Sequence, residues 1–215
     1  MNKERSKQIM EYMEYLHPNA KCELHHSNTF ELLVAVMLSA QTTDASVNKL
    51  TKTLFTKYKT IEDYALAPIP QLEQDLRTIG LFRNKAKNLH AMSNRILQDF
   101  NGEVPSDQKD LESLPGVGHK TANVVRSVAF DIPAFAVDTH VQRVAKRLGY
   151  AKKDDTVLTV EKKVTKAIAK DKWNVAHHQF IFFGRYFCKA QHPKCQECQL
   201  IHICKEPKRK QYLET

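Results

Sequence analysis

The chain has 215 residues, of which 42% are hydrophobic, so it can form one large domain or two small ones around a real core. Its 6 glycines and 8 prolines are too few for a disordered chain or a turn-rich all-β protein. A formal net charge of +9 favours a polyanionic partner, nucleic acid before any other, over a basic protein without such a partner.

The predicted elements are helical from the first residues onward. The stretch MNKERSKQIMEYMEY has no apolar segment of the kind that a secretory signal requires, and its apolar residues recur at helical spacing over 3–16. Ser27 or Asn28 can cap the next helix, which runs through FELLVAVMLSA. Because that apolar run is far shorter than the ~20 residues that span a bilayer, we expect a buried central helix and no membrane span.

Helical periodicity continues along the rest of the chain. Thr43 or Asp44 can cap a third helix, and Gly80 interrupts the pattern. Asp138 and Gly149 stand where the N-cap and the C-terminal glycine of a later helix belong. Further helices are predicted at 61–66, 70–78, 83–99, 107–113, 119–129, 156–169 and 173–187. No alternating strand pattern is convincing, so the predicted class is all-α, with about ten helices.

The stretch LPGVGHKTAN, which starts at Leu114, places two of the few glycines in one tight corner between predicted helices. Pro115 cannot continue the first helix, and Gly116 and Gly118 permit backbone angles closed to other residues. The amides of the corner and of the next helical turn then point outward, where they suit a phosphate group. This helix-hairpin-helix pattern, about 108–129, predicts sequence-independent DNA binding rather than a plain helix–helix turn.

Four of the 5 cysteines, Cys188, Cys195, Cys198 and Cys204, form the pattern C-x6-C-x2-C-x5-C. In a reducing compartment such clustered thiols indicate a metal site rather than a disulfide framework. All-cysteine zinc sites usually use two separated C-x2-C pairs, whereas this compact segment has one. The spacing therefore favours a [4Fe–4S] cluster, with one thiolate for each iron, over zinc.

The loop between the first two of these cysteines carries Lys189 and Lys194. A cluster that fixes this loop would present both cations at the surface, so a structural metal could also serve DNA binding. The fifth cysteine, Cys22, is better explained as a small buried hydrophobe than as a ligand.

Several motifs, in their order and spacing, resemble the endonuclease III family: LSAQTTD, TIGLFRNKAKNL, LPGVGHKTANVV, AVDTHVQRVAKRLG and the four-cysteine pattern. Members of that family are DNA glycosylases and AP lyases of base excision repair. The resemblance covers essentially the whole chain. One departure is His119, where the family often has an arginine, and it concerns a phosphate contact rather than the chemistry.

The resemblance implies a helix-hairpin-helix glycosylase fold with two helical domains and a DNA cleft between them. A six-helix barrel would comprise 23–132, and a domain that holds a [4Fe–4S] cluster would comprise 1–22 and 133–215. The DNA-binding residues that follow from the resemblance and the corner are Gln41, Leu81, Leu114, Gly116, Val117, Gly118, His119, Lys120, Lys189 and Lys194.

The family's catalytic lysine falls on Lys120 and its catalytic aspartate on Asp138. Lys120 lies in the first turn of the helix after the corner, where the positive end of the helix dipole favours its uncharged amine, the nucleophile of Schiff-base chemistry. Outside this context it would be one of 33 basic residues. Asp138 is also a good N-cap, and that role is compatible with stabilising positive charge on the sugar.

An enzyme that acts on a base in duplex DNA must flip the base out, and the gap must be filled. The resemblance assigns this task to Gln41 and Leu81, each beside a helical break. Without the resemblance, a polar loop residue and a buried leucine would be the simpler interpretations. Asp44 and His140 could line the lesion pocket, although His140 is better explained as a structural neighbour of Asp138.

We therefore predict a bifunctional DNA glycosylase with AP lyase activity, which removes oxidised or ring-saturated pyrimidines and cleaves 3′ to the abasic site. Its predicted partner is double-stranded DNA with damaged bases or abasic sites, and we expect a monomer in the bacterial cytoplasm, associated with the nucleoid through DNA. Two alternatives remain. An adenine-mismatch glycosylase is disfavoured by Lys120 and by the short segment after Cys204, and a non-enzymatic helix-hairpin-helix module with a structural metal is the other.

Overall fold

The computed structural model describes residues 1–211. The described residues form eleven α-helices and no strand, which confirms the predicted all-α class. None of the helices in this range combines the length and the apolar character needed to cross a bilayer. Two compact units are present: Glu23–Asp131 forms one, and Met1–Cys22 joins the residues from Ile132 onward in the other.

Seven helices build the continuous unit, and the short ones follow local signals in the sequence. They are α2 (Thr29–Leu38), α3 (Asp44–Lys57), α4 (Ile61–Leu66), α5 (Ile69–Leu76), α6 (Phe82–Asp99), α7 (Gln108–Ser113) and α8 (His119–Ala129). Thr60 and Asp63 form a capping box at the start of α4, which satisfies two of its free amides. Pro70 lies in the first turn of α5, where its missing N–H costs nothing.

The core of this unit is organised around α2. Eight of its ten residues are buried, because its side chains are apolar on nearly every side. The side chain of Asn28, rather than that of Ser27, caps it by accepting a hydrogen bond from the Glu31 amide at 2.9 Å. Helix α8 packs on α2, and α4, α5 and α2 all pack on α6. The helix that follows the loop at 77–81 is therefore held from several sides.

The second unit is discontinuous in sequence. Its helices are α1 (Lys3–Leu16), α9 (Thr139–Arg147), α10 (Val157–Ala167) and α11 (Trp173–Phe182). Ile9 and Met13 of α1 are fully buried in the same core as Val144 and Phe180. A buried hydrogen bond between Ser6 Oγ and Tyr150 Oη, 3.0 Å long, adds a polar link between α1 and the segment after α9.

Helix α9 ends as its sequence predicts. Gly149 has a φ of +78°, a conformation that glycine adopts without strain. The amide of Tyr150 donates to the Ala145 carbonyl at 2.9 Å, and that of Gly149 donates to the Lys146 carbonyl at 3.2 Å. This pair of bonds is a Schellman motif, and it satisfies carbonyls that the helix end would otherwise leave free.

The last predicted helix, 173–187, is not a uniform α-helix. Helix α11 ends at Phe182, and Phe183–Phe187 forms a π-helical turn. The Cys188 amide donates to the Phe183 carbonyl at 2.6 Å, which is the i to i−5 pattern of that turn. Periodicity could not show this change, because the turn is only 5 residues long and lies at the end of the predicted helix.

Candidate active site and metal centre

Of the two glycines in the hairpin between α7 and α8, only Gly116 occupies a position that requires glycine. Gly116 has a φ of +79°, and a Cβ there would lie 2.9 Å from the Cβ of Asn88 on α6. Both the backbone angle and the lack of space exclude a side chain. This confirms the predicted need for glycine at this point of the corner.

Gly118 is different, and the prediction of a special backbone angle there is wrong. Its φ of −97° and ψ of 176° are extended values that any residue adopts. A Cβ at Gly118 would meet no atom within 4 Å. Gly118 is the N-cap of α8, and as a glycine it has no side chain with which to cap the helix. The residue therefore keeps the approach to the first amides of α8 open, which is what an anion at a helix N-terminus requires.

Leu114 and Val117, both predicted to bind DNA, are internal anchors of the hairpin. Their exposed fractions are 2% and 5%. The Val117 amide donates to the Leu114 carbonyl at 3.1 Å and closes the turn. Their side chains are therefore not available to DNA, and only the backbone of this stretch can reach a phosphate.

His119 is held within the hairpin. Its Nδ1 lies 2.8 Å from Glu112 Oε1, and its Nε2 lies 3.2 Å from the side-chain nitrogen of Asn123. Hydrogen bonds from Gln108 and from His119 lower the pKa of the Glu112 carboxyl. The ring thus joins α7 to α8, so His119 stabilises the corner in a way that the sequence did not predict.

Lys120 is the second residue of α8 and its side chain is exposed. It therefore lies in the first helical turn, as predicted, directly after an N-cap glycine that has no side chain. A nucleophile needs access to its substrate, and this position provides access together with the positive end of a helix dipole.

Asp138 is the N-cap of α9. Its Oδ1 accepts a hydrogen bond from the Val141 amide at 2.8 Å, and the residue is half-buried. The N-cap prediction is confirmed, and the carboxylate is fixed at a defined position by the helix that it starts.

The two residues suggested for the lesion pocket lie at the beginnings of helices. Asp44 is the first residue of α3, and Thr43 rather than Asp44 caps that helix. His140 is half-buried, and burial lowers the pKa of its imidazole. A Cβ on Gly184 would lie 2.9 Å from the His140 Cβ. His140 therefore packs against the π-helical turn, which agrees with a structural role.

Gln41 and Leu81 both have left-handed backbone conformations, with φ values of +53° and +58°. Such values are uncommon outside glycine, asparagine and aspartate, and they are strained for a bulky residue. Leu81 is 51% exposed and Gln41 is exposed as well, so the leucine is not a core residue. A Cβ on Gly80 would lie 3.8 Å from the Gln41 carbonyl oxygen, which places the two loops side by side.

The four clustered cysteines are half-buried free thiols. Burial, and to a smaller extent the neighbouring thiolates of Cys188, Cys204 and Cys195, raises the pKa of Cys198 to about 12. They are therefore close enough to repel one another once ionised. No three His, Cys, Asp or Glu side chains in residues 1–211 are arranged to hold a metal ion. In an iron–sulfur cluster each thiolate binds a different iron, so this donor set remains compatible with a cluster.

Two arginines of α9 contact the cysteine segment, and the sequence analysis did not identify either of them. Arg143 donates to the Gly184 carbonyl at 2.7 Å and to the Cys188 carbonyl at 3.2 Å. Arg147 donates to Cys188 Sγ at 3.4 Å and to the Lys189 carbonyl at 2.7 Å. Their i, i+4 spacing puts both on one face of α9, a signal that is visible in the sequence but not specific.

Lys189 and Lys194 have exposed side chains, as expected. Their backbone is fixed, because the Lys189 carbonyl accepts from Arg147 and the Lys194 amide donates to the Phe187 carbonyl at 3.2 Å. The loop therefore presents two cations from a defined backbone, which suits contact with a phosphate chain.

Comparisons with known proteins agree with this arrangement. Residues 34–170 match the family described as HhH-GPD superfamily base excision DNA repair protein. The chain is 60% identical over 189 residues to endonuclease III of Bacillus subtilis (strain 168), which covers 88% of this chain and 86% of that one. Two solved structures are similar along their whole length. A trapped endonuclease III–DNA covalent intermediate has a TM-score of 0.95 at 55% identity, covering 98% of this chain and 99% of that one. A non-covalent endonuclease III–DNA complex has a TM-score of 0.95 at 53% identity, with full coverage of both chains.

Proposed function

The chain belongs to the HhH-GPD superfamily of base excision DNA repair proteins, and from this membership we propose that it is a DNA glycosylase with AP lyase activity on damaged duplex DNA. The observation that carries the proposal is its similarity to an endonuclease III trapped in a covalent intermediate with DNA. A covalent intermediate requires a nucleophile, and Lys120 is an exposed amine in the first turn of α8.

Lys120 acts as the nucleophile through the lone pair of its Nζ. Nζ bonds to C1′ of the damaged nucleotide while the bond from C1′ to the base breaks, and the base leaves with the bonding electrons and takes up a proton. Loss of a proton from Nζ and opening of the sugar ring give an imine. The imine makes the C2′ proton acidic, and removal of that proton expels the 3′ phosphate, which breaks the strand 3′ to the lesion. Water then hydrolyses the imine and frees the amine.

Asp138 supplies a fixed negative charge for the positive charge that develops on the sugar as the base leaves. Its position as the N-cap of α9 supports this role, because the hydrogen bond from the Val141 amide orients the carboxylate before substrate binds. Fixed charges of this kind need little rearrangement during the reaction.

Base flipping is assigned to the loops that carry Gln41 and Leu81. A flipped nucleotide leaves a gap in the duplex, and unstacking costs a few kcal/mol unless protein groups fill the space. The exposed Leu81 side chain suits an apolar wedge between bases. Gln41, with its amide, suits hydrogen bonding to the base that loses its partner.

The substrate class that we propose is oxidised or ring-saturated pyrimidines, and the place of action is the bacterial cytoplasm. The first proposal rests on the family resemblance of the motifs. The second rests on the bacterial sources of relatives such as the Bacillus subtilis protein and on DNA as the substrate.

A [4Fe–4S] cluster is the proposed cofactor, with Cys188, Cys195, Cys198 and Cys204 as its ligands. When bound, it supplies rigidity to the loop between the first two of these cysteines. The chemistry of the donor set supports the assignment: four thiols lie in one short segment, and Arg147 donates a hydrogen bond to one of the sulfur atoms. Hydrogen bonds to cysteine sulfur stabilise the thiolate that a metal requires.

Borohydride trapping tests the proposal. The wild-type protein should become covalently linked to a duplex with an abasic site, because reduction of the imine makes the bond between Nζ and C1′ permanent. Lys120→Ala should lose trapping while it still binds the duplex, and Lys166→Ala, which removes an exposed lysine of α10, is the control. Binding without trapping by the wild-type protein would instead indicate a DNA-binding module or a purely hydrolytic glycosylase.

A further inference from the structure

A buried lysine lies beneath the two loops that carry Gln41 and Leu81. Lys85 is only 4% exposed, and its Nζ donates a hydrogen bond to Thr42 Oγ1 at 2.9 Å. Lysine is almost never fully buried unless it has a partner. Here the partner is a neutral hydroxyl on another loop, so the bond cannot be explained as an ion pair.

This hydrogen bond joins the segments that carry the two DNA-inserting residues. Thr42 follows Gln41 directly in the chain, and its hydroxyl also donates to the Ala40 carbonyl at 3.3 Å. Lys85 belongs to the first turn of α6, and its amide donates to the Leu81 carbonyl at 3.0 Å. The Thr42 end of this hydrogen bond therefore belongs to the loop with Gln41, and the Lys85 end is linked through its amide to the loop with Leu81.

The backbone of both loops is strained, and strain of this kind persists only when the surroundings hold it. Gln41 and Leu81 have positive φ values of +53° and +58°. Leu81 is also the N-cap position of α6, although its side chain can form no capping bond. The loops meet where Gly80 lies against the Gln41 carbonyl, so the bond between Lys85 and Thr42 is a second point of attachment between them.

Burying the charged amine of Lys85 costs free energy of desolvation. Burial lowers the pKa of its amine, because an ammonium group loses its hydration shell there. An apolar residue of the same length would fill the space without that cost. Compared with such a residue, the ammonium group adds one directed hydrogen bond. This bond joins the two loops and does not contribute to packing in the core.

We propose that the hydrogen bond between Lys85 and Thr42 is a positioning contact, which fixes the two loops so that Gln41 and Leu81 enter the duplex together. The proposal rests on the proposed function, since it concerns insertion into DNA around a flipped nucleotide. Lys85 and Thr42 need not touch the DNA; they act through the residues that do.

Thr42 offers a matched pair of substitutions without a change of charge. Thr42→Val keeps the shape and removes the hydroxyl, and Thr42→Ser keeps the hydroxyl. The probe is a duplex with 2-aminopurine beside a stable abasic analogue, because the fluorescence of this base rises when it is unstacked. We expect Thr42→Val to lose most of the fluorescence increase and Thr42→Ser to retain it.

Kinetics provides a second readout. Under single-turnover conditions at saturating enzyme, base excision by Thr42→Val should slow by about tenfold, the effect of losing one charge-assisted hydrogen bond. The enzyme concentration at half-maximal rate should stay near the wild-type value, because the hairpin contacts to phosphate are unchanged.

Lys85→Met should slow base excision as much as Thr42→Val does, and the double variant should be no slower than either single variant. Lys52→Met, on the exposed side of α3, is the control for loss of charge.

The outcomes separate this inference from the proposed function. If the wild-type protein traps on abasic DNA but Thr42→Val keeps its fluorescence signal and its rate, the inference is wrong and the function stands. Equal losses in Thr42→Val and Thr42→Ser would also overturn it, because the hydroxyl would then not matter. If the wild-type protein fails to trap, the proposed function itself fails.

Discussion

The guanidinium group of Arg147 lies 3.4 Å from the Sγ atom of Cys188, within hydrogen-bonding distance of a proposed cluster ligand. The same side chain pairs through Nε with Glu206 at 2.7 Å, and the exposed fractions of the two side chains are only 9% and 18%. Arg147→Met removes both contacts, together with the hydrogen bond that Arg147 donates to the Lys189 carbonyl. We expect a loss of about 3–5 kcal/mol in the free energy of unfolding and a protein with little iron, measured by thermal unfolding and metal analysis.

Arg95→Met is the control for this substitution. Arg95 pairs with Asp99 at 3.1 Å on the surface, where the side chains are 44% and 52% exposed. Exposed pairs contribute at most about 1 kcal/mol, so this variant should keep its stability and its iron. Normal iron content and melting temperature in Arg147→Met would show that the arginine does not support the cluster.

Asp138 allows its structural and catalytic roles to be separated by two substitutions. Asparagine is as good an N-cap as aspartate, so Asp138→Asn should change the free energy of unfolding by less than about 0.5 kcal/mol. The loss of negative charge should nevertheless slow base excision by about 10²-fold or more. Single-turnover rates and urea unfolding measure the two effects. Asp138→Ala should be slow as well, and should also lose about 1 kcal/mol of stability. A near-normal rate in Asp138→Asn would reduce the residue to a cap.

The two hairpin glycines should respond differently to alanine. Gly116→Ala forces a side chain into a left-handed backbone and against Asn88, and the backbone term alone costs about 1–2 kcal/mol. Gly118→Ala places its methyl group in open space at an ordinary φ, so it should lose only about 0.5–1 kcal/mol, the amount by which alanine is a poorer N-cap than glycine. Thermal unfolding followed by circular dichroism compares them. Equal destabilisation of the two variants would contradict the geometry of the corner.

Stability at acidic pH should depend on Asp75. Burial opposes ionisation of this carboxyl, but hydrogen bonds from Lys57 at 2.6 Å and from Tyr58 at 2.8 Å hold the pKa of Asp75 below its ordinary value. The unfolded chain, with a pKa near ~3.9, then binds more protons than the folded one. The stabilisation is therefore present above about pH 4 and is lost as the pH falls through the lower pKa of the folded state.

Asp75→Asn should lower stability at neutral pH and weaken its dependence on pH below about pH 4. Urea unfolding at a series of pH values measures both effects. Asp99→Asn, which removes the exposed partner of Arg95, is the control and should follow the wild-type curve. If Asp75→Asn keeps the full wild-type slope in acid, another group accounts for the acid sensitivity.

Local signals in the sequence predict most of the helices. Helix α2 is apolar on nearly every side, Asp138 and Gly149 mark the two ends of α9, and Pro70 lies in the first turn of α5. Each is a short-range effect of side-chain volume, a capping oxygen or a fixed φ. The sequence could not identify Asn28 and Thr43, rather than their neighbours, as the N-caps of α2 and α3. Adjacent residues with similar capping ability are distinguished only by the residue at which the backbone enters the helix.

The sequence predicted those parts of the candidate site whose residue types indicate a function by themselves. It did not predict residues whose role depends on a contact with a residue far away in the sequence. The cysteine spacing and the glycine corner belong to the first kind. The contact of Arg147 with Cys188 and that of Lys85 with Thr42 join residues 41 and 43 positions apart. Gly118 shows the converse case, since its sequence context suggested a special φ and the structure has an ordinary one.

The discontinuous unit has a consequence for synthesis on the ribosome. Helix α1 is synthesised before Glu23–Asp131, whereas Ile9 and Met13 share their buried core with residues that follow residue 131, such as Val144 and Phe180. At about 5–20 residues per second, the nascent chain carries this apolar stripe unburied for several seconds while Glu23–Asp131 is translated. A helix that is synthesised before Glu23–Asp131 is thus packed only after that unit has been made, and during this interval its apolar side chains are accessible to a chaperone.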